Sequence, residues 1–141
     1  MKLSVVAQGK LKEPAYRALA DDYLGRIRRY VRVDEIEVKD GDALERVAPA
    51  ESLRVALEVT GKAHTSEGFA RELERWGRHG KGDVAFFIGG AEGLPRELSR
   101  TASERISLSS FTLPHRLARI VLLEQLYRAL TILRGEPYAR E

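Results

Sequence analysis

Apolar runs of strand-like spacing alternate with stretches of helical spacing along the whole of this 141-residue chain, and no other feature narrows its architecture as much. Parallel strands need a crossover of a dozen or more residues between them, and a helix is the usual crossover, so the alternation points to an α/β domain with a mostly parallel sheet and helices on both faces. Residues 2–7, 52–59, 83–88 and 105–108 read as strands, and the run Asp83-Val84-Ala85-Phe86-Phe87-Ile88 is the clearest. Residues 33–38 alternate Val33, Ile36 and Val38 with Asp34, Glu35 and Glu37, the pattern of a strand near a sheet edge with one face in solvent. Gly61 is expected to end the strand at 52–59.

Behind Pro14, Tyr16, Leu19, Ala20, Tyr23, Leu24, Ile27, Tyr30 and Val31 fall at helical spacing. Shorter helices are expected at 43–47 and 94–102. Another begins at a cap supplied by Thr65 or Ser66, carries Phe69, Leu73 and Trp76, and closes at Gly77 and Gly80. Residues 114–133 form a last helix of about 30 Å, started by Pro114 and stopped by Gly135. Its apolar residues cover more than one stripe, so two faces need covering. Either it is the central core helix of a monomer, or part of it meets a second subunit; a homodimer is the expectation.

At this length one core is the default, so residues 1–141 are taken as a single domain. Hydrophobic residues at 43% and charged residues at 32% exclude a disordered chain. The apolar start is too short for a secretory signal, no segment is long enough for a membrane span, and there is no cysteine, so a cytoplasmic protein without membrane partners is expected. The net charge of +3 leans only mildly toward polyanions, but arginines cluster. Arg26, Arg28, Arg29 and Arg32 lie within seven residues, and Arg116, Arg119, Arg128, Arg134 and Arg140 recur through the last 26. They suit phosphate contact and base stacking, or else form a solvated helix face.

Ligands of open parallel sheets collect at the carboxyl ends of the strands, and three strand ends here carry unusual turns. These are Leu57 to Lys62, the glycine turn Ile88-Gly89-Gly90-Ala91-Glu92-Gly93-Leu94, and the hydroxyl-rich loop from Ser107 to Pro114. Together they can wrap one nucleoside-like ligand. The glycine turn has neither the spacing of a dinucleotide fold nor the Lys-Ser/Thr of a P-loop. His64, His79 and His115 are isolated and no carboxylates have ligand spacing, so no metal site is expected; there is also no nucleophile elbow.

The order of these segments carries a resemblance. Gly61-Lys62, Glu72 to Trp76, Phe87 to Leu94, Ser107-Leu108-Ser109 with Thr112 to His115, Glu124 to Ala129, and Pro137-Tyr138-Ala139-Arg140-Glu141 follow one another as in the 23S rRNA pseudouridine N3-methyltransferase family (RlmH) of the SPOUT superfamily. The chain resembles that family over essentially its whole length. The resemblance implies a SPOUT fold with a C-terminal trefoil knot. It also implies a homodimer whose interface completes the active site, S-adenosylmethionine as methyl donor, and 23S rRNA as substrate, within the ribosome. Carried over, Leu57, Gly90 and the loop Ser109, Ser110, Phe111, Thr112, Leu113 and Pro114 would bind the donor. Arg140, Tyr138, His115 and Arg128 would serve the reaction, an arginine stabilising charge developing at N3 and Tyr138 stacking or hydrogen bonding. The family tail reads Pro-Tyr-His-Arg-Glu, whereas this chain has Ala139 in place of the histidine. His115, or solvent aided by electrostatics, is left to take the proton.

Two other functions fit parts of the sequence. A non-catalytic RNA- or ribosome-binding module would use the arginine clusters without the missing tail histidine. A flavodoxin-like regulatory domain would need an acidic phosphoacceptor pocket that the chain lacks.

Overall fold

The first strand, β1 (Lys2–Gln8), lies between β2 (Arg32–Val38) and β4 (Asp83–Ile88); β3 (Leu53–Ala63) and β5 (Glu104–Ser107) complete the sheet in the order β2-β1-β4-β3-β5. The structure, a computed structural model, describes residues 1–140; Glu141, the last residue of the tail motif, lies outside the described residues. Every strand pair is parallel, as the alternation of strand and helix requires, and β2 sits at an edge as its acidic alternation predicts.

Helices cover both faces. Leu3, Val5 and Ala7 of β1 and Val84, Phe86 and Ile88 of β4 pack toward α1 (Pro14–Ile27), α3 (Ser66–Trp76) and α5 (His115–Leu133). Val6, Ala85 and Phe87 point the other way, onto Leu44 of α2 (Leu44–Val47) and Leu98 of α4 (Arg96–Thr101). A central strand buried on both faces has no polar alternate positions, so β4 reads as an uninterrupted apolar run. Thr65 caps α3, its hydroxyl oxygen accepting the Gly68 N–H at 3.0 Å.

The structure revises two expectations. The first helix stops at Ile27 rather than Val31, because Arg28 to Val31 close a turn in which Tyr30 and Val31 both donate to the Ile27 carbonyl, leaving Arg32 free to open β2. The third strand runs through Gly61 instead of ending there. Leu57 and Lys62 both sit opposite Ile106 of β5, so residues 58–61 bulge out of the ladder. Gly61 belongs inside this bulge because a Cβ there would lie 2.6 Å from the Ile106 backbone carbon. The last helix, α5, packs against both α1 and α3, and Leu122, Leu123, Leu126 and Ala129 are fully buried within one chain.

Arg119, expected among the phosphate-facing arginines, is 2% exposed and holds the edge of the sheet. Its guanidinium donates to Glu37, to Glu35 at 3.3 Å and to the Gly9 carbonyl at 2.8 Å, while Arg17 reaches Glu35 at 2.6 Å. Glu35 and Glu37 of β2 thus face cations of α1 and α5. Among the described residues no helix is long and apolar enough to cross a membrane.

Candidate functional site

Parallel strands bring their carboxyl ends to one edge of the sheet, and those of β3, β4 and β5 surround a cavity of about 370 Å³. From β3 come Leu57 and the bulged Glu58, Val59 and Thr60. Beyond β4 come Ile88, Gly89, Gly90, Ala91, Gly93 and Leu94, and beyond β5 Ser107, Leu108, Ser109, Phe111, Thr112 and Leu113. His115 and Ala118, in the first turn of α5, complete the lining. The three strand ends singled out in the sequence therefore do enclose one space, of a size suited to a small ligand.

Local chemistry shapes each wall. At Gly89 a Cβ would lie 2.3 Å from the Gly93 carbonyl carbon, so only glycine lets the turn fold back on itself; Gly93 completes it with a φ of 81°. Gly90 donates its N–H to the Gln8 side-chain oxygen at 3.3 Å, which ties the turn to the end of β1. The third wall is held by two serines. Ser107 donates its hydroxyl to the Ser109 carbonyl at 2.8 Å, and Ser109 Oγ accepts the Phe111 N–H at 2.9 Å. The amides of Thr112 and Leu113 pair with no other backbone group among the described residues. Phe111 stands at the mouth of the cavity with 79% of its surface exposed.

Of the expected donor-site residues, Leu57, Gly90, Ser109, Phe111, Thr112 and Leu113 line the cavity, as does His115. Ser110 belongs to the same loop without lining it, and Pro114 is the N-cap position of α5. Glu58, Val59, Thr60 and Gly89 fall inside the strand-end segments flagged in the sequence but are not among the residues that the resemblance assigns to the donor. Glycine before glycine in a turn does flag Gly89, but the bulge at 58–61 depends on the register with β5 and leaves no local signature.

The other candidates gather elsewhere. Arg128 lies thirteen residues beyond His115 on α5, a rise of about 20 Å. The tail after α5 forms a short 3₁₀ turn, Pro137–Arg140, against that distant half of the helix. Tyr138 donates its hydroxyl to Glu124 at 2.8 Å, sets its ring edge-on to Tyr127 at 4.5 Å, and lies under the Arg128 guanidinium at 4.9 Å. Burial first, and then the Glu124 carboxylate, push the Tyr138 phenol well above its ordinary range. Arg128 itself donates to Glu124 at 3.0 Å, and Arg140 is exposed. The tail is tied to α1 as well. Tyr30 donates to Glu136 at 2.5 Å, and its hydroxyl is pushed up to about 12 by that carboxylate and by burial.

Within one chain, then, the cavity and the arginine-bearing tail occupy opposite ends of α5. A smaller hollow of about 200 Å³ lies between His64, Ser66 and Gln125 and shares Ser107 and Leu108 with the main cavity. Among the described residues no three histidines, cysteines or carboxylates converge as metal ligands would.

The chain resembles known proteins over nearly its whole length. Residues 1–139 match the family model described as "Predicted SPOUT methyltransferase". The ribosomal RNA large subunit methyltransferase H of Sorangium cellulosum is 57% identical, with 99% of each chain covered. Proteins of the same name from Anaeromyxobacter dehalogenans and Bacillus thuringiensis are 44% and 41% identical, each covering 98% of this chain and 99% of the relative. A solved structure, a probable methylase family protein from Haemophilus influenzae, shares the fold with a TM-score of 0.61 at 10% identity, covering 96% of this chain and 69% of that one. A parallel sheet in this order, a cavity at its carboxyl edge and a match over nearly the whole length lead to one assignment: the chain belongs to the SPOUT methyltransferase family.

Proposed function

We propose that this protein transfers the methyl group of S-adenosylmethionine to N3 of a pseudouridine in 23S rRNA, in the cytoplasm, as a homodimer built on a knotted C-terminal half. The observation that carries the proposal is the cavity itself, where Leu57, Gly90 and the loop from Ser109 to Leu113 converge from three separate strand ends. The residues present fit the donor. Leu57, Ile88, Leu94 and Leu108 offer apolar walls for an adenine, the close-packed glycine turn leaves room for backbone approach, and the Thr112 and Leu113 amides can donate to ring or carboxylate acceptors. Glu58 supplies a carboxylate toward a cationic ligand.

When bound, the donor supplies an electrophilic methyl on a positively charged sulfur. The protein's part is to hold the pseudouridine N3 in line with that methyl while a new N–C bond forms, the S–C bond breaks and the N3 proton departs. His115, on the cavity wall, is placed to accept that proton directly or through water. Arg140 and Tyr138 belong to the turn packed against the half of α5 that lies away from the cavity of their own chain, so in the proposed dimer they serve the partner's. There the Arg140 guanidinium stabilises charge at N3 and its neighbouring carbonyls. Arg128 braces Tyr138 through the shared Glu124 carboxylate. The knot would arise where residues 108–114 carry the chain from β5 back across the ends of β3 and β4.

The deciding experiment incubates the protein with labelled donor and ribosomes from a strain lacking the modification. Label at one pseudouridine of the large-subunit RNA is expected. No transfer, with donor binding intact by calorimetry, overturns the catalytic assignment in favour of a non-catalytic RNA-binding module on the same fold, the alternative that Ala139 in the histidine position keeps in play.

A further inference from the structure

The end of the molecule opposite the cavity carries charge that the proposed chemistry does not use. Arg28 and Arg29 lie in the turn after α1, and Arg32 opens β2 directly beside Lys2 of β1. All three arginines are exposed. Elsewhere on α1 the cations are neutralised, Arg17 by Asp21 and Glu35 and Arg26 by Asp22. At this end the nearby acids are already engaged, Asp34 with Lys2 at 3.3 Å and Glu136 with Tyr30. Arg28, Arg29 and Arg32 make no ion pair or side-chain hydrogen bond among the described residues. Arg134, held over the Tyr30 ring at 5.3 Å, extends the strip toward the tail.

Three unpaired guanidinium groups within five residues repel one another and stabilise nothing in the fold, so their placement favours a polyanion bound there. We propose that Arg28, Arg29 and Arg32 form a docking surface for the phosphate backbone of the RNA substrate, remote from the cavity of their own chain. The surface presupposes the RNA substrate proposed above. Guanidinium forks suit phosphate oxygens, and none of residues 28–32 is an exposed large apolar side chain of the kind that inserts into a lipid surface. The strip lies at the amino ends of β1 and β2, about 20 Å along the strands from the cavity. It therefore grips RNA several nucleotides away from the target or beside the partner subunit's cavity, and its effect falls on RNA affinity rather than on the chemical step.

The test compares two triple variants of equal charge: R28Q/R29Q/R32Q, and R46Q/R71Q/R96Q, whose arginines are scattered over α2, α3 and the start of α4. Binding of a large-subunit rRNA hairpin is measured across a salt series, alongside binding of vesicles containing phosphatidylserine, donor calorimetry and thermal melting. The clustered variant is expected to lose at least tenfold in RNA affinity and to flatten the salt dependence by about two in logarithmic slope, while the scattered variant loses less than threefold. Donor affinity and melting temperature should be unchanged in both. Equal losses in the two variants, or none in the clustered one, overturn the surface, as does a clustered variant that loses vesicle binding while keeping RNA binding. Failure of the wild type to bind donor would instead count against the methyltransferase reading. Should the clustered variant fold poorly, the three single substitutions each carry the expectation of a partial loss of the same kind.

Discussion

At Gly89 the turn passes so close to its own continuation that a methyl group has nowhere to go: the nearest backbone atom would be at 2.3 Å, and no side-chain motion can relieve that contact. At Gly90 the same methyl would meet only the end of the Gln8 side chain at 3.2 Å, which can swing aside. Gly89→Ala is therefore expected to weaken S-adenosylmethionine binding at least tenfold and Gly90→Ala by less than threefold, as measured by calorimetry on folded protein. Equal effects would place the donor away from this turn. Arg119 makes a second residue-level case. Removing it leaves Glu35 and Glu37 facing each other with only Arg17 to compensate, so Arg119→Met should cost roughly 3 kcal/mol in urea unfolding. The pH dependence follows from Glu37. Burial raises its pKa, but the Leu11 N–H and the Arg119 and Arg17 guanidinium groups outweigh burial and hold it below the ordinary carboxylate range. A depressed folded-state value means that its stabilisation is present at pH values above the unfolded pKa and is lost as the pH falls through the folded one. Acid unfolding of Glu37→Gln should accordingly be less steep below about pH 4.5 than that of the wild type.

Among the elements, β4 and α1 were legible because the first is an unbroken apolar run and the second keeps one helical period from Tyr16 to Ile27. The three strand ends were legible as a site because a parallel sheet has one edge at which they can meet. The bulge in β3 was not, since the extra residues at 58–61 are defined only by the partner strand, and a glycine read locally signals an ending. Nor was the position of the tail: Pro137 and Tyr138 argue against fraying, but they do not say what the tail packs against within its own chain. It is fixed by contacts across the chain: Tyr138 to Glu124 and Tyr127, and Tyr30 to Glu136. The two hydrogen bonds among them are neutral phenols donating to carboxylates, and they break when the phenol ionises. Raised folded-state values mean that the anchoring is complete below a free tyrosine's value of about 10 and is lost as the pH climbs through the folded values, near 12 for Tyr30. Ultraviolet titration should find Tyr30 and Tyr138 ionising above the ordinary phenol range, and Tyr30→Phe and Tyr138→Phe should each remove one late step. Proteolysis after Gly135 should accelerate over the same pH range; an unchanged cleavage rate would mean the tail is held by something other than these phenols.

For the whole molecule, the separation of cavity and tail makes a quantitative demand. A long helix that buries its apolar side chains against α1 and α3 keeps His115 at one end and Arg128 toward the other, so one chain cannot bring Arg140 to its own cavity without dismantling that packing. If two chains associate so that each tail reaches the other's cavity, every active site combines a cavity from one protomer with a tail from its partner. Gly89→Val disables the cavity and Arg140→Ala the tail, and either homodimer should be inactive in methyl transfer. In a mixture co-expressed with two different tags, half of the dimers pair one variant with the other, and each mixed dimer has one site in which an intact cavity meets an intact tail. The unfractionated mixture should then recover about a quarter of the wild-type rate, and dimers purified through both tags about a half. A tail acting on its own cavity recovers nothing in either preparation, because no chain in the mixture carries both intact parts. Donor calorimetry on the doubly purified dimers supplies the check: one binding site per dimer shows that Gly89→Val removed the cavity it was meant to remove, so that any activity recovered comes from the Arg140→Ala chain's cavity and the other chain's tail.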